Sequence, residues 1–331
     1  MQAISVGDRV YNYSQTLGRG SDGGIGFRNP VDFAISPDGI MYVLSRASDA
    51  NQCQRITVLT TDEEFISEFG GPGSGDGQFI WPTSIVIDNE GMIYVADEWL
   101  NRITIFDKLG NFHSKWGKPG HEIGQLNGPA GLAFDSKGCL YVSENLGHRI
   151  QKFTKDGEHV KAWGNQGQLE GELTRPWGIT VDSDDNIYVA DWYNNRVQKF
   201  DSDGRFMSVF GSHGPGLELP SSVAVDLEGD VYVTSWCNCK VEIFRRDGSH
   251  ITTLSGNADI LSKWAQEFLD QNPDYRKARQ LVKDLKPEWA FFRPIAIKTT
   301  EDGRIWISED ERWRIQVYQK ELDWEVPALN L

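Results

Sequence analysis

Short apolar stretches alternate with turn residues along the chain, and residues 175–211 display the pattern most clearly. The apolar runs in this segment, at 179–181, 187–190, 196–200 and 205–210, are separated by clusters of Ser, Asp, Asn and Gly. Such runs between turn clusters are typical of antiparallel strands joined by tight turns. The segment therefore predicts a four-stranded meander, which cannot bury both of its faces unless similar sheets lie beside it.

Copies of this unit can be aligned on the proline that opens the first strand. The prolines lie 44 to 52 residues apart, except for one interval of 74 residues, and are Pro30, Pro82, Pro129, Pro176, Pro220 and Pro294. The second strand of each copy has an aromatic residue between apolar ones, as in Ile93–Val95, and the third opens with a basic residue, as at Arg102. A repeat of this length with four strands predicts an all-β fold, a six-bladed β-propeller with four-stranded antiparallel blades, as a single domain over residues 1–331.

The last copy has no recognisable fourth strand, because only a short segment follows Gln319. The N-terminal segment 9–18 instead ends in Leu17-Gly18, as the fourth strands of other copies end in an apolar residue before glycine, for example Phe69-Gly70. We expect 9–18 to complete the last blade, because this closure removes an exposed sheet edge.

The long interval before Pro294 contains an inserted segment, 257–292. Ile260, Trp264 and Phe268 are spaced four residues apart and predict one helix. Asn272-Pro273 then predicts the start of a second helix, whose apolar stripe consists of Ala278, Leu281, Val282 and Leu285. Because the insertion lies in a loop of the expected ligand face, we predict a two-helix lid over the channel mouth. Packing against the rim of the ring is the alternative.

Two of the copies carry a recognisable motif. Tyr94-Val-Ala-Asp-Glu-Trp-Leu-Asn-Arg-Ile103 and Tyr188-Val-Ala-Asp-Trp-Tyr-Asn-Asn-Arg-Val197 resemble the NHL repeat. The resemblance extends over about residues 9 to 320, apart from the insertion, and implies a six-bladed propeller. NHL propellers include enzymes, RNA-binding modules, extracellular sensors and interaction platforms, so the resemblance leaves the function open.

One member of that family, an amidating lyase, holds zinc through histidines just after the proline. The corresponding residues here are Val31, Thr83, Ala130, Trp177, Ser221 and Ile295. None is a histidine, so this zinc site is not expected, and we predict no metal ligand among these residues.

The net charge of −15 argues against a nucleic-acid or membrane-surface partner, because both need clustered Lys and Arg. The N-terminus has no apolar signal core and the chain has no apolar run long enough to span a membrane, so we expect a cytoplasmic protein. Free thiols suit that compartment, and the four cysteines are Cys53, Cys139, Cys237 and Cys239.

Two recurring polar features are interpreted as structural. The segment Asp182–Asn186 resembles a calcium loop but lacks its glycine and glutamate, and is interpreted as a hairpin turn. A short polar residue ends the second strand of each copy, and we expect it to satisfy loop N–H groups or to pair with the basic residue of the third strand. In the alignment these residues are Ser45, Asp97, Ser143, Asp191, Ser235 and Ser308.

Positions that differ between copies on one face of the ring are the candidates for function. Residues that follow the recurring polar position are Arg46, Glu98, Glu144, Trp192, Trp236 and Glu309. Residues before the proline are Asn29, Trp81, Gly128, Arg175, Leu219 and Arg293. Two positions after the proline the residues are small, except for Asp32. These loops predict a pocket with aromatic walls and mixed charge.

We predict that this pocket binds and converts a small polar molecule with an aromatic or anionic part, by general acid–base chemistry of lyase or hydrolase type. Glu98, Glu144, Glu309 and Asp32 are the acid–base candidates. The binding candidates are Arg46, Trp81, Arg175, Trp177, Trp192, Trp236 and Arg293, because arginine suits anions and indole rings suit planar groups. The alternative is a noncatalytic ligand- or protein-binding NHL propeller. The cofactor is unknown, and a divalent cation, Ca²⁺ or Zn²⁺, in the channel stays open.

Overall fold

A computed structural model describes residues 3–46, 52–212 and 216–324 of the chain. These residues form six antiparallel sheets arranged as the blades of a propeller. The prediction of an all-β six-bladed propeller is confirmed. Strands β1 (Ala3–Val6) and β2 (Arg9–Leu17) come first. Blade 1 comprises β3 (Pro30–Ile35), β4 (Ile40–Ser45), β5 (Arg55–Thr60) and β6 (Phe65–Phe69). Blade 2 comprises β7 (Pro82–Ile87), β8 (Ile93–Asp97), β9 (Arg102–Phe106) and β10 (Phe112–Trp116).

The next three blades repeat this arrangement. Blade 3 comprises β11 (Pro129–Phe134), β12 (Leu140–Glu144), β13 (Arg149–Phe153) and β14 (His159–Trp163). Blade 4 comprises β15 (Pro176–Val181), β16 (Ile187–Asp191), β17 (Arg196–Phe200) and β18 (Phe206–Phe210), with a 3₁₀ turn at Trp192–Asn194. Blade 5 comprises β19 (Pro220–Val225), β20 (Val231–Ser235), β21 (Lys240–Phe244) and β22 (His250–Leu254).

Blade 6 is built from both ends of the chain. Its strands β23 (Pro294–Thr299), β24 (Arg304–Glu309) and β25 (Arg314–Lys320) are followed in the sheet by β2, which pairs antiparallel with β25. The N-terminal segment therefore closes the ring as predicted. Strand β1 adds a fifth strand outside β2, which the four-stranded prediction did not include.

The core lies between neighbouring blades. The aromatic residue of each second strand packs into it, and Trp306 of blade 6 shares one buried cluster with Phe33 and Met41 of blade 1. At the outer edge, Phe69 of blade 1 packs against the turn of blade 2 at Gly110, which has φ 86°. A Cβ atom there would lie 2.4 Å from the Phe69 ring, so only glycine fits.

The insertion contains three helices instead of two. They are α1 (Lys263–Gln271), α2 (Pro273–Gln280) and α3 (Lys286–Trp289). Trp264 is buried against the ring and its side chain lies edge-on to Phe27. The predicted second stripe is wrong, because α2 ends at Gln280 and Leu281 is 81% exposed.

The polar contacts of α1 lie along the seam between blades 6 and 1. Ser262 Oγ donates to the Gly18 carbonyl (2.8 Å), and Glu63 Oε2 accepts from the Trp264 N–H (3.4 Å). Lys263 pairs with Glu64 on the turn between β5 and β6. These contacts place α1 on the rim. A lid over the channel mouth stays a prediction.

Candidate functional site

Two loops of each blade meet on one face of the ring, which we call the loop face. Here the backbone N–H of the residue that follows the second strand donates a hydrogen bond to the backbone carbonyl of the residue before the proline. The donor and acceptor pairs are Arg46 and Asn29 (3.0 Å), Glu98 and Trp81 (3.0 Å), Asn145 and Gly128 (2.8 Å), Trp236 and Leu219 (3.3 Å), and Asp310 and Arg293 (3.2 Å). These bonds hold both loops in a fixed position on a rigid scaffold.

A fully buried polar residue ends the second strand of each blade, opposite the proline. Its side chain accepts a hydrogen bond from an N–H of the loop that precedes the proline, for example Asp97 from Ile80 (2.8 Å) and Asp191 from Thr174 (2.7 Å). The full set, all 0% exposed, is Ser45, Asp97, Glu144, Asp191, Ser235 and Glu309. The predicted capping role is therefore confirmed for Ser45, Asp97, Asp191 and Ser235, and it is wrong for Ser143 and Ser308, whose place Glu144 and Glu309 take.

Glu144 and Glu309 occupy this structural position, and their predicted register is wrong by one residue. Glu144 pairs with Pro129 across the sheet, and Glu309 pairs with Pro294. Their carboxylates bind Arg149 Nε (2.5 Å) and Arg314 Nε (2.6 Å). Ser143 and Ser308, aligned with this position from sequence, lie one residue earlier. In blades 3 and 6 a glutamate carboxylate accepts the loop N–H that serine or aspartate accepts in the other blades.

Burial raises the pKa of Glu144, although hydrogen bonds from Arg149, Gln151 and the Asn127 N–H oppose the shift. Both of its oxygens are engaged in the interior. The residues that follow the polar position in blades 3 and 6 are Asn145 and Asp310. These two residues lie at the loop face and were missed from sequence. Alignment on Leu140-Tyr-Val142 and Ile305-Trp-Ile307 would have identified them.

Asp32 lies in the channel and is already neutralised. Its Oδ2 accepts from Ser84 Oγ (2.7 Å) and from the Ile85 N–H (3.0 Å), and its Oδ1 lies 3.2 Å from Lys298 Nζ. The first-strand residues around it, including Trp177 and Ser221, leave a cavity of only about 20 Å³. The channel is narrow at this level, and Asp32 bonds to neighbouring blades instead of facing an open pocket.

Arg46 is a partly exposed cation at the loop face. Its guanidinium packs on the Trp81 ring, 4.6 Å from the ring centroid. Within the described residues Arg46 forms no ion pair, although the carboxylates of Asp310 and Glu98 attract it electrostatically. Burial lowers the pKa of Arg46, and these two carboxylates oppose the shift. Asp310 itself accepts a hydrogen bond from Asn29 Nδ2 (3.0 Å). The arrangement leaves guanidinium N–H groups free to donate to an anion.

Three tryptophans and one arginine form a continuous stack across blades 4, 5 and 6. Ring centroids are 5.5 Å apart between Trp177 and Trp192, and 5.6 Å apart between Trp192 and Trp236. The Arg293 guanidinium then lies 4.6 Å from the centroid of Trp236 and pairs with Glu311. All three indoles are partly exposed. The stack, which we call the tryptophan ladder, offers aromatic faces to a planar or cationic group.

Arg175 does not join the ladder. Its guanidinium packs on exposed Tyr193, 5.4 Å from the ring centroid. Its N–H donates to His148 Nδ1 (3.1 Å), as the Leu219 N–H donates to Asn195 (2.8 Å) in the next blade. His148 therefore serves the loop of blade 3, as Asn195 does in blade 4. Burial and the charge of Arg175 lower the pKa of His148.

Asn145 adds an unsatisfied polar group to the loop face. The residue is 3% exposed, and its Oδ1 has no hydrogen-bond partner among the residues that the structure describes. It occupies the same position in blade 3 as Arg46 and Glu98 do in blades 1 and 2. A buried acceptor without a donor is unusual, so Asn145 is a further candidate for ligand contact.

One carboxylate cluster lies away from the loop face, at the turn that joins β19 to β20. Oxygens of Asp226, Glu228 and Asp230 lie within 4.8 Å of one another. Lys320 Nζ binds all three, at 2.5, 2.8 and 2.7 Å, and is itself 1% exposed. An ammonium group therefore takes the place that a metal ion would need. The related turn at Asp182 accepts N–H bonds from Asp184 and Asn186 through Oδ1, as a hairpin turn predicts.

Comparisons with known proteins agree with this fold. The NHL repeat matches residues 173–200, which include β15, β16 and β17, so the predicted resemblance is confirmed. None of the curated proteins matches the chain. Within the described ranges, no helix is long and apolar enough to cross a membrane.

Several solved structures share the architecture. A streptogramin B lyase is 16% identical with a TM-score of 0.58, covering 90% of this chain and 96% of that one. A catalytically inactive virginiamycin B lyase from Staphylococcus aureus, with quinupristin, is 15% identical with a TM-score of 0.58, covering 93% and 99%. A protein of unknown function from Bacteroides thetaiotaomicron is 17% identical with a TM-score of 0.64, covering 95% and 76%. At such identities the likeness shows the fold alone.

Proposed function

We propose that the loop face binds a small anionic molecule with an aromatic or planar part and converts it by general acid–base chemistry of lyase or hydrolase type. The observation that carries this proposal is the Arg46 guanidinium, which forms no ion pair within the described ranges, on the same face as the tryptophan ladder. A guanidinium and an aromatic wall suit the two ends of such a ligand.

Arg46 supplies the anionic subsite. Arginine is preferred where a carboxylate or phosphate is held by two parallel hydrogen bonds, and packing on Trp81 limits the orientation of the guanidinium plane. Partial burial strengthens the attraction, because charges interact more strongly away from bulk water. A ligand carboxylate would restore the ion pair that Arg46 lacks among the described residues.

Glu98 is the acid–base candidate that this geometry favours. It is partly exposed, its backbone N–H is fixed by the Trp81 carbonyl (3.0 Å), and its charge acts on Arg46. In this proposal Glu98 exchanges a proton with a ligand whose anionic group binds Arg46. Glu144 and Glu309 are fully engaged in the interior and are better suited to holding the loops.

The solved neighbours give weak support for a lyase. Two of them are named streptogramin B lyase and virginiamycin B lyase, and both share this architecture over most of their length. Their substrates are not transferred to this chain, because identities of 15 to 16% support the fold only.

Binding is tested first, with benzoate as an anionic aromatic probe and benzamide as its neutral counterpart. We expect benzoate to bind more tightly than benzamide. We expect Arg46→Gln and Trp192→Ala each to weaken benzoate binding about tenfold or more, because each substitution removes one charged hydrogen bond or one stacking contact. Arg175→Gln is the matched control, because that guanidinium packs on Tyr193 away from the ladder. Equal binding of both probes, or no effect of Arg46→Gln, would contradict the anionic subsite.

Turnover is tested separately, by incubating the protein with mixed aromatic esters, amides, lactones and β-substituted acids, followed by mass spectrometry. A lyase gives products whose masses sum to that of the substrate, whereas a hydrolase adds one water. Glu98→Gln should abolish turnover while it leaves benzoate binding intact.

A noncatalytic binding propeller is the second candidate. The contacts of α1 with the rim favour it, because a macromolecular partner needs an uncovered loop face. Benzoate binding without any turnover, and without an effect of Glu98→Gln, would support this candidate.

A further inference from the structure

The insertion encloses a second recess, which we call the insertion groove. It lies between the start of α1 and the outer part of blade 6, and has a volume of about 310 Å³. Its walls come from the end of β2, from residues 258–265, and from the loop between β24 and β25. This volume suits a small molecule. The groove is separate from the channel, whose lining shares no residue with it.

Two arginines in the groove have no carboxylate partner within residues 3–46, 52–212 and 216–324. Arg19 lies 5.1 Å from the Phe268 ring centroid and donates only to the Gly20 carbonyl (3.2 Å). Arg312 donates to the Pro287 carbonyl (2.9 Å) and lies 5.6 Å from the Phe292 ring centroid. Among the residues that the structure describes, neither guanidinium forms an ion pair. Each therefore retains N–H groups that can donate to a ligand.

The carboxylates of the groove are already neutralised. Glu288 pairs with Arg279 at 2.7 Å, and Glu311 pairs with Arg293 of the tryptophan ladder. The third arginine of the lining, Arg314, is held by Glu309 (2.6 Å). The unsatisfied charge in the groove is therefore positive, although the chain as a whole is acidic.

Trp313 adds a further donor. Its indole lines the groove, and its Nε1 is buried with no acceptor in the described part of the chain. Its backbone is left-handed, with φ 52°, an uncommon conformation for a bulky residue. A buried N–H without an acceptor is costly unless a ligand supplies one.

The opposite wall is apolar. Ile260, Leu261, Ala258 and Ala265 line it, and Ile260 is 58% exposed. An exposed isoleucine beside two unpaired guanidinium groups can cover the apolar part of a ligand whose charged end they bind.

We propose that the insertion groove is a binding site for a small monocarboxylate with an apolar body. Arg19, Arg312 and the Trp313 N–H bind the carboxylate, and Ile260 and Leu261 cover the hydrocarbon. Among the described residues, the groove's unpartnered polar groups named above are all hydrogen-bond donors, so an anion satisfies them and a cation does not. The site does not depend on the function proposed for the loop face.

The test uses octanoate as the probe and octanamide as its neutral analogue. Protein labelled with ¹⁵N at tryptophan indole is titrated by NMR, and Trp313→Phe identifies the Trp313 signal. We expect saturable octanoate binding that shifts this signal, with octanamide at least about tenfold weaker, because a charge-assisted hydrogen bond is stronger than a neutral one. Arg19→Gln and Arg312→Gln should each weaken octanoate binding by about tenfold or more.

Two controls separate this site from others. Arg205→Gln changes an arginine whose side chain is 76% exposed on blade 4, and should have no effect. Arg46→Gln alters the loop face and should leave the octanoate-induced shift of the Trp313 signal unchanged. Ile260→Asp, at an exposed position, should abolish octanoate binding by charge repulsion without unfolding the protein. This variant tests the site if Trp313→Phe fails to fold. The proposal is overturned if octanoate does not bind, if octanamide binds equally, or if Arg46→Gln removes binding and Arg19→Gln does not.

Discussion

Glu144 accepts a hydrogen bond from Arg149 Nε at 2.5 Å in blade 3, just as Asp191 accepts one from Arg196 Nε at 2.9 Å in blade 4. Both carboxylates are fully buried. The Arg149 guanidinium also donates to the carbonyls of His121 and Gln125 in the preceding loop. The pair therefore joins the second strand, the third strand and the loop before the proline within one blade.

Glu144→Gln is expected to destabilise the protein by about 3 to 5 kcal/mol, because it leaves a partly buried arginine without its counter-charge. Glu98→Gln, at a partly exposed position, should change the free energy of unfolding by less than about 0.5 kcal/mol. Urea unfolding monitored by tryptophan fluorescence measures both. Equal stability of the two variants would show that Glu144 does not hold the loop.

Much of the fold could be predicted from sequence because the repeated unit carries its own signals. The proline, the aromatic residue of the second strand and the basic residue of the third strand recur in every blade, and N-terminal closure follows from the one missing strand. The site was harder to predict. A one-residue difference in register separates Glu144, which is buried, from Asn145, which belongs to the loop face.

The insertion could be predicted only where it is buried. Trp264 packs against the ring as its helical spacing indicated. Leu281 and Val282 also have helical spacing, but they are exposed at 81% and 49%. Spacing alone does not reveal whether another element covers a stripe. The pairing of Arg293 with Glu311, and the packing of Arg46 on Trp81, depend on contacts between separate loops.

Lys320→Met is expected to convert an internal ammonium site into a calcium site. The substitution leaves Asp226, Glu228 and Asp230 close together, with Arg9 as the remaining cation paired with them in the described part of the chain. We expect a loss of about 3 to 5 kcal/mol in calcium-free buffer, because three carboxylates lose their partner. Millimolar Ca²⁺, which binds carboxylate oxygens, should restore part of this loss. Thermal melts with and without Ca²⁺ measure it. Equal calcium effects on variant and wild type would contradict the prediction.

Trp264→Ala is expected to release α1 from the ring. Trp264 is 3% exposed and contacts Phe27 with ring centroids 5.7 Å apart. Removing such a side chain costs about 3 to 5 kcal/mol, which exceeds what a nine-residue helix can supply alone. Hydrogen exchange should therefore become fast in α1 while the blades stay protected. Leu281→Ser, at an exposed position of the same insertion, is the control and should leave exchange unchanged.

The same seam should give stability a measurable pH dependence through Glu63. This residue is 4% exposed, and its carboxylate accepts the Gly18 N–H at 2.5 Å. Burial raises its pKa above the ordinary value of 4.5, while hydrogen bonds from Gly18, Ser262 and Trp264 oppose the shift. A raised pKa in the folded state means that the folded chain holds this proton more tightly than the unfolded chain does. The resulting stabilisation is complete below about pH 4.5 and is lost as the pH rises through the folded pKa.

Glu63→Gln keeps an acceptor for Gly18 but removes the titration. The free energy of unfolding of the wild type should therefore fall relative to that of the variant as the pH rises from about 4.5 towards neutrality. Urea unfolding of both proteins across this range gives the difference directly, because other titrating groups cancel. Glu64→Gln, at a neighbouring position whose side chain is 64% exposed, is the matched control for the substitution itself. A Glu63→Gln difference that is flat, or that moves in the opposite direction, would mean that burial does not dominate the ionisation of this carboxylate.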